Sequence, residues 1–540
     1  MMAWMVARPL QRLGLSAFLL ITGLLTVVGA RAALVENLTI GNPIALSLGN
    51  AVTADPPGVD SIYYNPAGLT SIRGREGLLK VAAVSLDFRV DFGSFSPEAQ
   101  KEVDKWGQYD PVENSTSDTS TIMLRVPFHQ GRVQWPGQVL VVPTGGAAYH
   151  PPGSRYTIGT AAFSPMAAGY KRSDTDPGRF MGKELSLVRI TYFAPTIAID
   201  LTDEFKVGFG INFSWQGGSA LTELRVPNEA LAIVGTALQQ IQDQTDCFNG
   251  TTNICAGVLY PFQRVADLEF DAETALSTNF NVGFLWKPTP WFTWGVNYQS
   301  EARNHMQGTY RFTYADSWVT LFQSAQQTLG GAAAFLNLPV GRPVETGKAV
   351  VDMNIPQQFS TGISVQLTHN LKFNMDARWM DWGIWEGLNV QFDQKMDFLK
   401  VASLLSPQYA TATVLTIPRH YKSVWNFAFG AEYQYNDLVV LRAGWEPRKS
   451  SIPPSKQDVL LPIGDGNLFS VGAGYQWSKD SRFDVALGYV RMRANVPAGT
   501  STNANSENQY TNFLYNPYSG LNFKSAVDAY LVEFAYTTHF

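Results

Sequence analysis

The 540-residue sequence contains few cysteines, few histidines and few charged side chains. It has 2 cysteines and 6 histidines, and Asp, Glu, Lys and Arg together make up 16% of the residues. Paired Cys-x-x-Cys motifs and histidine clusters are missing, so neither a metal site nor a cofactor is predicted. The formal net charge is −5 and no basic stripe stands out, which argues against a nucleic-acid partner.

Long apolar runs are also missing after the N-terminal region. Residues 1–32 combine Arg8 and Arg12, an apolar run over residues 13–28 and the small-x-small site Ala30-Arg31-Ala32 before Ala33. This order predicts a cleaved signal peptide, because the run is shorter than the ~20 residues of a membrane-spanning helix. An anchoring helix is the alternative. In an exported chain, the closely spaced Cys247 and Cys255 predict a local disulfide rather than a metal site.

Motifs that carry enzyme chemistry are not found. The sequence has no G-x-S-x-G elbow, no H-E-x-x-H motif and no phosphate-binding loop. We therefore expect that the protein is not an enzyme. A barrel enzyme that hydrolyses lipids stays an alternative, because scattered serines and histidines can meet in space.

From residue 76 onward, segments of about ten residues alternate between apolar and polar side chains, which is typical of membrane strands. One apolar face comprises Phe205, Val207, Phe209, Ile211, Phe213 and Trp215, and a second comprises Tyr421, Trp425, Phe427, Phe429, Ala431 and Tyr433. Because these faces end in Trp and Tyr, as aromatic girdles do, they favour lipid contact over a soluble sandwich. The alternating segments are 76–92, 138–149, 156–166, 185–201, 205–224, 265–286, 291–314, 348–367, 371–385, 418–435, 438–447, 467–477, 482–494 and 527–540.

The predicted fold is thus all-β, a 14-stranded antiparallel transmembrane β-barrel over residues 76–540. Short turns alternate with long loops, which places the turns in the periplasm and the loops outside. Residues 33–75 include the glycine- and proline-rich stretch LGNAVTADPPGVDSIYYNPAGL, whose few apolar residues cannot form their own core. We expect this segment to form an N-terminal hatch inside the barrel.

Two long loops have helical rather than alternating periodicity. The apolar positions Leu231, Val234 and Leu238 share one face in residues 228–241, and Trp318, Leu321 and Phe322 share one face in residues 317–329. There are two compatible interpretations of these faces. They pack over the barrel mouth, or they flank a groove that captures a hydrophobic ligand.

Lumen charges and one proline complete the candidate site. The alternation places Lys422, Arg303, Glu301, Lys372, Asp376 and Arg378 in the lumen. Lys422 and Arg303 are candidate ligand contacts, with a structural ion pair of Lys422 with Glu301 or Glu432 as the alternative. Pro165 cannot donate a ladder hydrogen bond, so Ser164, Pro165 and Met166 predict a bend that opens the wall. The alternative is that Pro165 marks the outer end of the strand.

Several motifs resemble those of FadL-type transporters. They are the stretch GNAVTADPPGVDSIYYNPAGL, the run Tyr298-Gln299-Ser300-Glu301, the segment Trp445-Glu446-Pro447-Arg448 and the terminal Phe540. The resemblance covers the mature chain and implies passive uptake of hydrophobic molecules across a Gram-negative outer membrane by a monomeric barrel that contacts outer-membrane lipid. Long-chain fatty acids are the first expected ligand, and alkanes or aromatic hydrocarbons are the alternative. A general porin is a further alternative.

The resemblance also implies roles for individual residues. Ligand is captured between helices of the third and fourth long loops, held in the lumen and released sideways where strand three kinks. Lys422 matches a lumen lysine, whereas the arginine expected on strand five falls near Gly217-Gly218. The expected hatch residues are Asp55, Asp60, Asn65, Pro66 and Ala67, although the usual pair of neighbouring acids is here separated by Pro56 and Pro57.

Overall fold

The computed structural model describes residues 39–226, 259–507 and 515–540, except positions 108, 120 and 130. Several predictions lie outside these residues. They are the signal peptide of residues 1–32, the helical face of Leu231, Val234 and Leu238, and the disulfide between Cys247 and Cys255. The domain boundaries at residues 33 and 76 also stay predictions.

The described residues form a closed barrel of 14 antiparallel strands, as the alternation predicts. The strands are β1 Gly74–Phe95, β2 Leu140–His150, β3 Tyr156–Lys171, β4 Glu184–Phe193 with Thr196–Asp200, β5 Phe205–Arg225, β6 Arg264–Thr289, β7 Phe292–Gln299 with His305–Tyr314, β8 Val344–Asp352 with Gln358–Gln366, β9 Leu371–Met380 with Gly387–Phe392, β10 Val414–Pro418 with Val424–Gln434, β11 Val439–Arg448, β12 Asp465–Gln476, β13 Ser481–Val496 and β14 Leu521–His539.

Each strand pairs with the next along the chain, and β14 returns to β1 with Glu76 opposite His539 and Leu79 opposite Tyr536. Because the last strand pairs with the first, the sheet has no terminal edge strand, which suits a membrane-spanning sheet since hydrocarbon offers no hydrogen bonds. Among the described residues, no helix is both long and apolar enough to cross a membrane.

The outer face of the wall is apolar and aromatic. Side chains of the predicted lipid-facing faces are exposed, including Phe209, Ile211, Trp425 and Tyr433, and so are Phe469, Val471 and Tyr475 of β12. Two members of the predicted set are buried instead. Trp215 is buried beneath residues of the first long loop, and Tyr421 is buried against Trp382 and Trp385.

Residues 39–73 pack inside the half of the barrel nearest the short turns. The segment contains helices α1 Pro43–Ser47 and α2 Ser61–Tyr64 and the 3₁₀ helices Gly58–Asp60 and Pro66–Ser71. Its apolar residues, including Ile62, Tyr63 and Leu69, are buried together with residues of the wall.

Glycines on the inner face of the wall allow this close packing. A Cβ atom at Gly430 would lie 2.7 Å from the carbonyl oxygen of Leu48, and one at Gly472 would lie 2.6 Å from the Cβ of Ser47. Such contacts are too short for any larger residue, so these strand glycines serve the approach of a second backbone. Other glycines in the same situation are Gly208, Gly283, Gly295 and Gly444.

Helices in the long loops lie at the other end of the barrel. They are α3 Pro97–Trp106, α4 Arg179–Gly182, α5 Asp316–Leu329, α6 Gly331–Phe335 and α7 Asp397–Leu405. Helix α5 coincides with the helical period of residues 317–329.

Four neighbouring strands, β7 to β10, are interrupted partway along their length. The interruptions are residues 300–304, 353–357, 381–386 and 419–423. In β9 the interruption contains the 3₁₀ helix Trp382–Ile384, and in β10 His420 has a positive φ of 43°. At these interruptions the side chains that point into the lumen no longer follow the strict alternation of a regular strand.

Candidate functional site

A large apolar cavity, the outer cavity, lies between the loop helices and the upper lumen. Its volume is about 380 Å³. Its lining comes from the inward faces of β4 to β8, as with Leu187, Phe270 and Met306, and from helices α5 and α7. Such a cavity, apolar with few polar groups, is the usual form of a small-molecule site.

Three predicted ligand contacts meet in the outer cavity. Trp318, Leu321 and Phe322 of α5 all line it, and the ring of Trp318 lies 4.6 Å from that of Phe322. Trp318 also stacks on Tyr314 with ring centroids 5.5 Å apart. The helix therefore packs over the barrel mouth and borders a cavity at the same time.

A second, smaller cavity, the inner cavity, lies between the outer cavity and residues 39–73. Its volume is about 60 Å³. It is lined by Tyr63 from the N-terminal segment, by Phe163, Pro165 and Met166 of β3, and by Arg189 of β4, among others. Its walls mix apolar and amide side chains, so it is more polar than the outer cavity.

Arg189 is the charged group of the inner cavity. Its side chain is buried, with 3% of the residue exposed. The guanidinium donates hydrogen bonds to Gln216 Oε1 at 3.1 Å, to Ser277 Oγ at 2.7 Å and to Asn279 Oδ1 at 3.3 Å. Among the described residues no carboxylate pairs with it, although a buried cation is normally compensated by an anion.

Two tryptophans separate the cavities. Trp382 lines the inner cavity and Trp385 lines the outer one, with ring centroids 4.9 Å apart at 87°. Both come from the interruption of β9, and Tyr421 from the interruption of β10 stacks on Trp385. The interruptions thus build a partition across the lumen.

Strand β3 changes register at the predicted position. Phe163 pairs with Thr191 and Met166 pairs with Arg189, so three residues of β3 span two of β4. The carbonyl of Ser164 accepts a hydrogen bond from Thr39 Oγ1 at 2.8 Å, and Ser164 Oγ donates to the carbonyl of Arg189 at 2.9 Å. A protein group thus satisfies the bulge carbonyl, as a site inside a membrane requires.

The ladder between β2 and β3 stops at the same level. In the described part of the chain, β2 pairs with β3 only from Gly145 opposite Ala162 to Tyr149 opposite Ile158. Beyond that point β2 still pairs with β1, as far as Leu140 opposite Val84. The wall therefore has a gap beside Pro165 on the side of the long loops.

A hairpin of the first long loop, residues 123–134, lies against the outside of this gap. Leu124 of the hairpin packs with Leu140, Val188 and Trp215. Ion pairs join it to outward carboxylates, with Arg132 Nε 2.8 Å from Glu184 Oε2 and Arg125 Nη2 2.9 Å from Glu273 Oε2. This cover explains why Trp215 does not face lipid.

The two basic residues predicted to contact ligand are not at either cavity. Lys422 is exposed, and its neighbour Tyr421 is buried instead, because the interruption at 419–423 ends the alternation that starts at Trp425. The side chain of Arg303 is 86% exposed in the interruption of β7. The predicted lumen orientation of Lys422 is therefore wrong, whereas the ligand contacts predicted for Lys422 and Arg303 stay predictions.

The predicted hatch residues contact the wall or each other. Asp60 is buried in an ion pair with Lys80 Nζ at 2.7 Å and accepts a hydrogen bond from Asn42 Nδ2. Asp55 pairs with Lys372, which also pairs with Glu432. The amide of Asn65 donates to the carbonyl of Phe284 at 3.1 Å, and Pro66 and Ala67 follow it in a buried 3₁₀ helix.

Other lumen charges predicted from alternation hold the N-terminal segment. Asp376 Oδ2 accepts hydrogen bonds from the backbone N–H groups of Val52 and Thr53 at 2.9 and 2.8 Å. Arg378 donates to the carbonyl of Asn50 at 3.3 Å. Both side chains thus fix residues 50–53 of the N-terminal segment to the wall.

Sequence reasoning missed Arg189, although a signal was present. Arg189 shares its strand face with Leu185, Leu187 and Thr191, and a lone arginine on an apolar strand face is unusual. It also missed Arg419 and Asp458, which line the outer cavity from two different loops and carry no local signal.

Comparisons with known proteins place the chain among outer-membrane transport proteins. The family model described as outer membrane protein transport protein (OMPP1/FadL/TodX) matches residues 23–540. The long-chain fatty acid transport protein of Escherichia coli O6:H1 is 18% identical over 295 residues, which are 55% of this chain and 58% of that relative. The protein of the same description from E. coli K12 is 23% identical over 212 residues, 38% of this chain and 42% of that relative. The matches therefore span about half the length of these curated relatives.

Solved structures share the fold over nearly the whole chain. A Pseudomonas aeruginosa FadL homologue superposes with a TM-score of 0.65 at 18% identity, covering 94% of this chain and 100% of that chain. The toluene transporter TodX of P. putida gives a TM-score of 0.57 at 14% identity, covering 93% and 99%. With the family match over most of the sequence, the chain belongs to the OMPP1/FadL/TodX family of outer membrane transport proteins.

Proposed function

We propose that this protein is a passive uptake channel for hydrophobic small molecules, with long-chain fatty acids as its first substrate class. The observation that carries the proposal is Arg189, a buried guanidinium that borders the inner cavity and is bonded to neutral side chains. A ligand carboxylate would supply the missing anion. Charge-assisted hydrogen bonds of this kind are stronger than neutral ones.

The two cavities suggest the order of events. An apolar chain enters the outer cavity beside Trp318 and Phe322, where burial of its surface drives binding. It then passes the partition of Trp382 and Trp385, and its carboxylate reaches Arg189. No step needs energy input, because burial of apolar surface favours the first site and charge pairing favours the second.

Release sideways into the membrane is part of the proposal. The inner cavity touches Pro165 and Met166, and the wall gap starts beside them. Residues 39–73 block the straight path towards the short turns. A hydrophobic ligand leaving through the gap would stay out of water.

A neutral hydrocarbon is the second candidate substrate. The outer cavity is lined mostly by apolar side chains and would hold an alkane or an aromatic ring. Relatives of this fold include proteins described as toluene transporters. Such a ligand would leave Arg189 without an anion, so the two candidates differ at this residue.

Substituting Arg189 distinguishes a carboxylate ligand from a neutral one. Arg189→Gln should weaken oleate binding by roughly 1.5–3 kcal/mol, the scale of a hydrogen bond to a charged group, and leave oleyl alcohol nearly unchanged. Equilibrium binding of both radiolabelled ligands to the purified chain is the measurement.

Lys422→Met is the matched control, because it also removes one positive charge but at an exposed position. It should bind both ligands as the unmodified protein does. Equal losses for oleate and oleyl alcohol in Arg189→Gln, or a loss of oleate binding in Lys422→Met, would contradict the carboxylate role of Arg189.

A further inference from the structure

The outer cavity has a charged spot in its otherwise apolar wall. Arg419 and Asp458 both line the cavity and form an ion pair through Nη1 of the arginine and Oδ2 of the aspartate. Each is almost completely buried, with 3% exposed. Asn503 lines the cavity beside them and is 5% exposed.

This spot has one free donor and one free acceptor. Among the described residues, Arg419 Nε and Asn503 Oδ1 have no hydrogen-bond partner. Two neighbouring groups are engaged: Asp458 Oδ1 accepts a hydrogen bond from the N–H of Leu461 at 2.8 Å, and Asn503 Nδ2 donates one to the carbonyl of Pro418 at 2.9 Å. Unpaired buried polar groups are costly, so a ligand that satisfies both would gain free energy.

The other arginine that lines this cavity, Arg225, differs from Arg419 in where its anionic partner lies. Arg225 is bonded to both carboxylate oxygens of Asp110, at 2.7 and 2.9 Å, and to the carbonyl of Pro517. Asp110 does not line the cavity. Only at Arg419 do both members of the ion pair face the space that a ligand would fill, within the part of the chain described.

We propose that Arg419, Asp458 and Asn503 form a head-group site for neutral hydroxyl-bearing amphiphiles, long-chain alcohols in the first place. A hydroxyl accepts one hydrogen bond, here from Arg419 Nε–H, and donates one, here to Asn503 Oδ1. The charge of Arg419 is already balanced by Asp458, so an ionised carboxylate would meet the aspartate and be disfavoured. The proposal rests on the uptake of hydrophobic molecules and adds a head-group preference to its first binding site.

Binding of 1-dodecanol, dodecane and dodecanoate to the purified full chain tests the site, at a pH where dodecanoate is ionised. In the unmodified protein dodecanol should bind roughly 3- to 10-fold more tightly than dodecane, the effect of one or two net hydrogen bonds. The double variant Arg419→Met/Asp458→Leu should lose this preference and keep dodecane binding. Replacing both members of a buried ion pair by apolar residues generally preserves folding.

A single substitution at Asp458 tests the site independently of the double variant. Asp458→Asn leaves the arginine charge unbalanced and should raise dodecanoate affinity roughly 10-fold relative to dodecanol. Lys422→Met, which also removes one positive charge but lines neither cavity, should retain the preference for dodecanol over dodecane.

Equal affinities for dodecanol and dodecane in the unmodified protein would overturn the site, as would a preference that survives in the double variant or an unchanged dodecanoate ratio in Asp458→Asn. Failure of the proposed uptake function is distinguishable, because oleate uptake by cells would then be absent while the purified chain still prefers dodecanol to dodecane.

Discussion

At the scale of the residue, the buried charges of this barrel fall into two groups. Lys80 pairs with Asp60 and Lys372 pairs with Asp55, and both ion pairs join the N-terminal segment to the wall. Arg189 has only neutral partners among the described residues and borders a cavity. Burial alone therefore does not separate structural charges from candidate binding charges, since the paired Lys80 and the carboxylate-free Arg189 are both buried.

The sequence could not make this distinction. Alternation assigned Lys372, Asp376 and Arg378 to the lumen, where they contact residues 39–73. It failed for Lys422 because β10 is interrupted at residues 419–423, and one displaced residue moves every side chain to the other face.

Breaking one structural pair should loosen the N-terminal segment. Lys80→Met leaves the buried carboxylate of Asp60 without a cation, which typically costs roughly 3–5 kcal/mol. We expect faster amide hydrogen exchange in residues 42–72, measured by mass spectrometry, with exchange in β11 to β13 unchanged.

The double variant Lys80→Met/Asp60→Asn is the control, because an uncharged amide no longer needs the lysine and still accepts from Asn42. It should recover most of the protection. Unchanged exchange in Lys80→Met would show that the pair does not hold the segment.

Among the strands, the departures from regular geometry coincide with the features proposed to act on the ligand, which are the partition and the wall gap. The interruptions of β9 and β10 contribute Trp382, Trp385 and Tyr421 to the partition, and the register change in β3 lies beside the wall gap. The position in β3 was predictable because proline cannot donate a ladder bond. The interruptions of β7 to β10 were not predictable, because the four segments share no proline or glycine pattern.

The register change in β3 can be removed by one deletion. Deleting Pro165 takes out the extra residue between Phe163 and Met166 and should restore a continuous ladder with β4. If ligand leaves through the wall gap, we expect oleate uptake by cells to fall at least tenfold (roughly 1.4 kcal/mol or more in barrier) while the barrel assembles and binds oleate.

Pro165→Ala is the matched control, because it keeps the residue count and therefore the bulge. Its uptake should stay near that of the unmodified protein. Undiminished uptake by a well-assembled Pro165 deletion would rule out release at this position.

At the scale of the whole molecule, the barrel was predictable and its interior was not. Fourteen alternating segments gave the strand number, because each strand must expose an apolar face to lipid. The two cavities depend on contacts between distant segments, such as Arg419 with Asp458 or Tyr63 with Phe163, which no local pattern encodes. Arg189 is an exception among the cavity residues. It lies on a regular strand, and its position on an otherwise apolar face was visible in the sequence.

In the proposed function, hydrophobic molecules pass through this chain while residues 39–73 close the lumen to water-soluble ones. Uptake of radiolabelled oleate by cells in which this protein replaces their own transporter of this family tests it most directly, with permeation of a small sugar measured in the same cells. We predict oleate uptake well above that of empty-vector cells and sugar permeation equal to theirs. Absence of oleate uptake by a correctly assembled barrel, or sugar permeation of the size a general porin gives, would contradict the account.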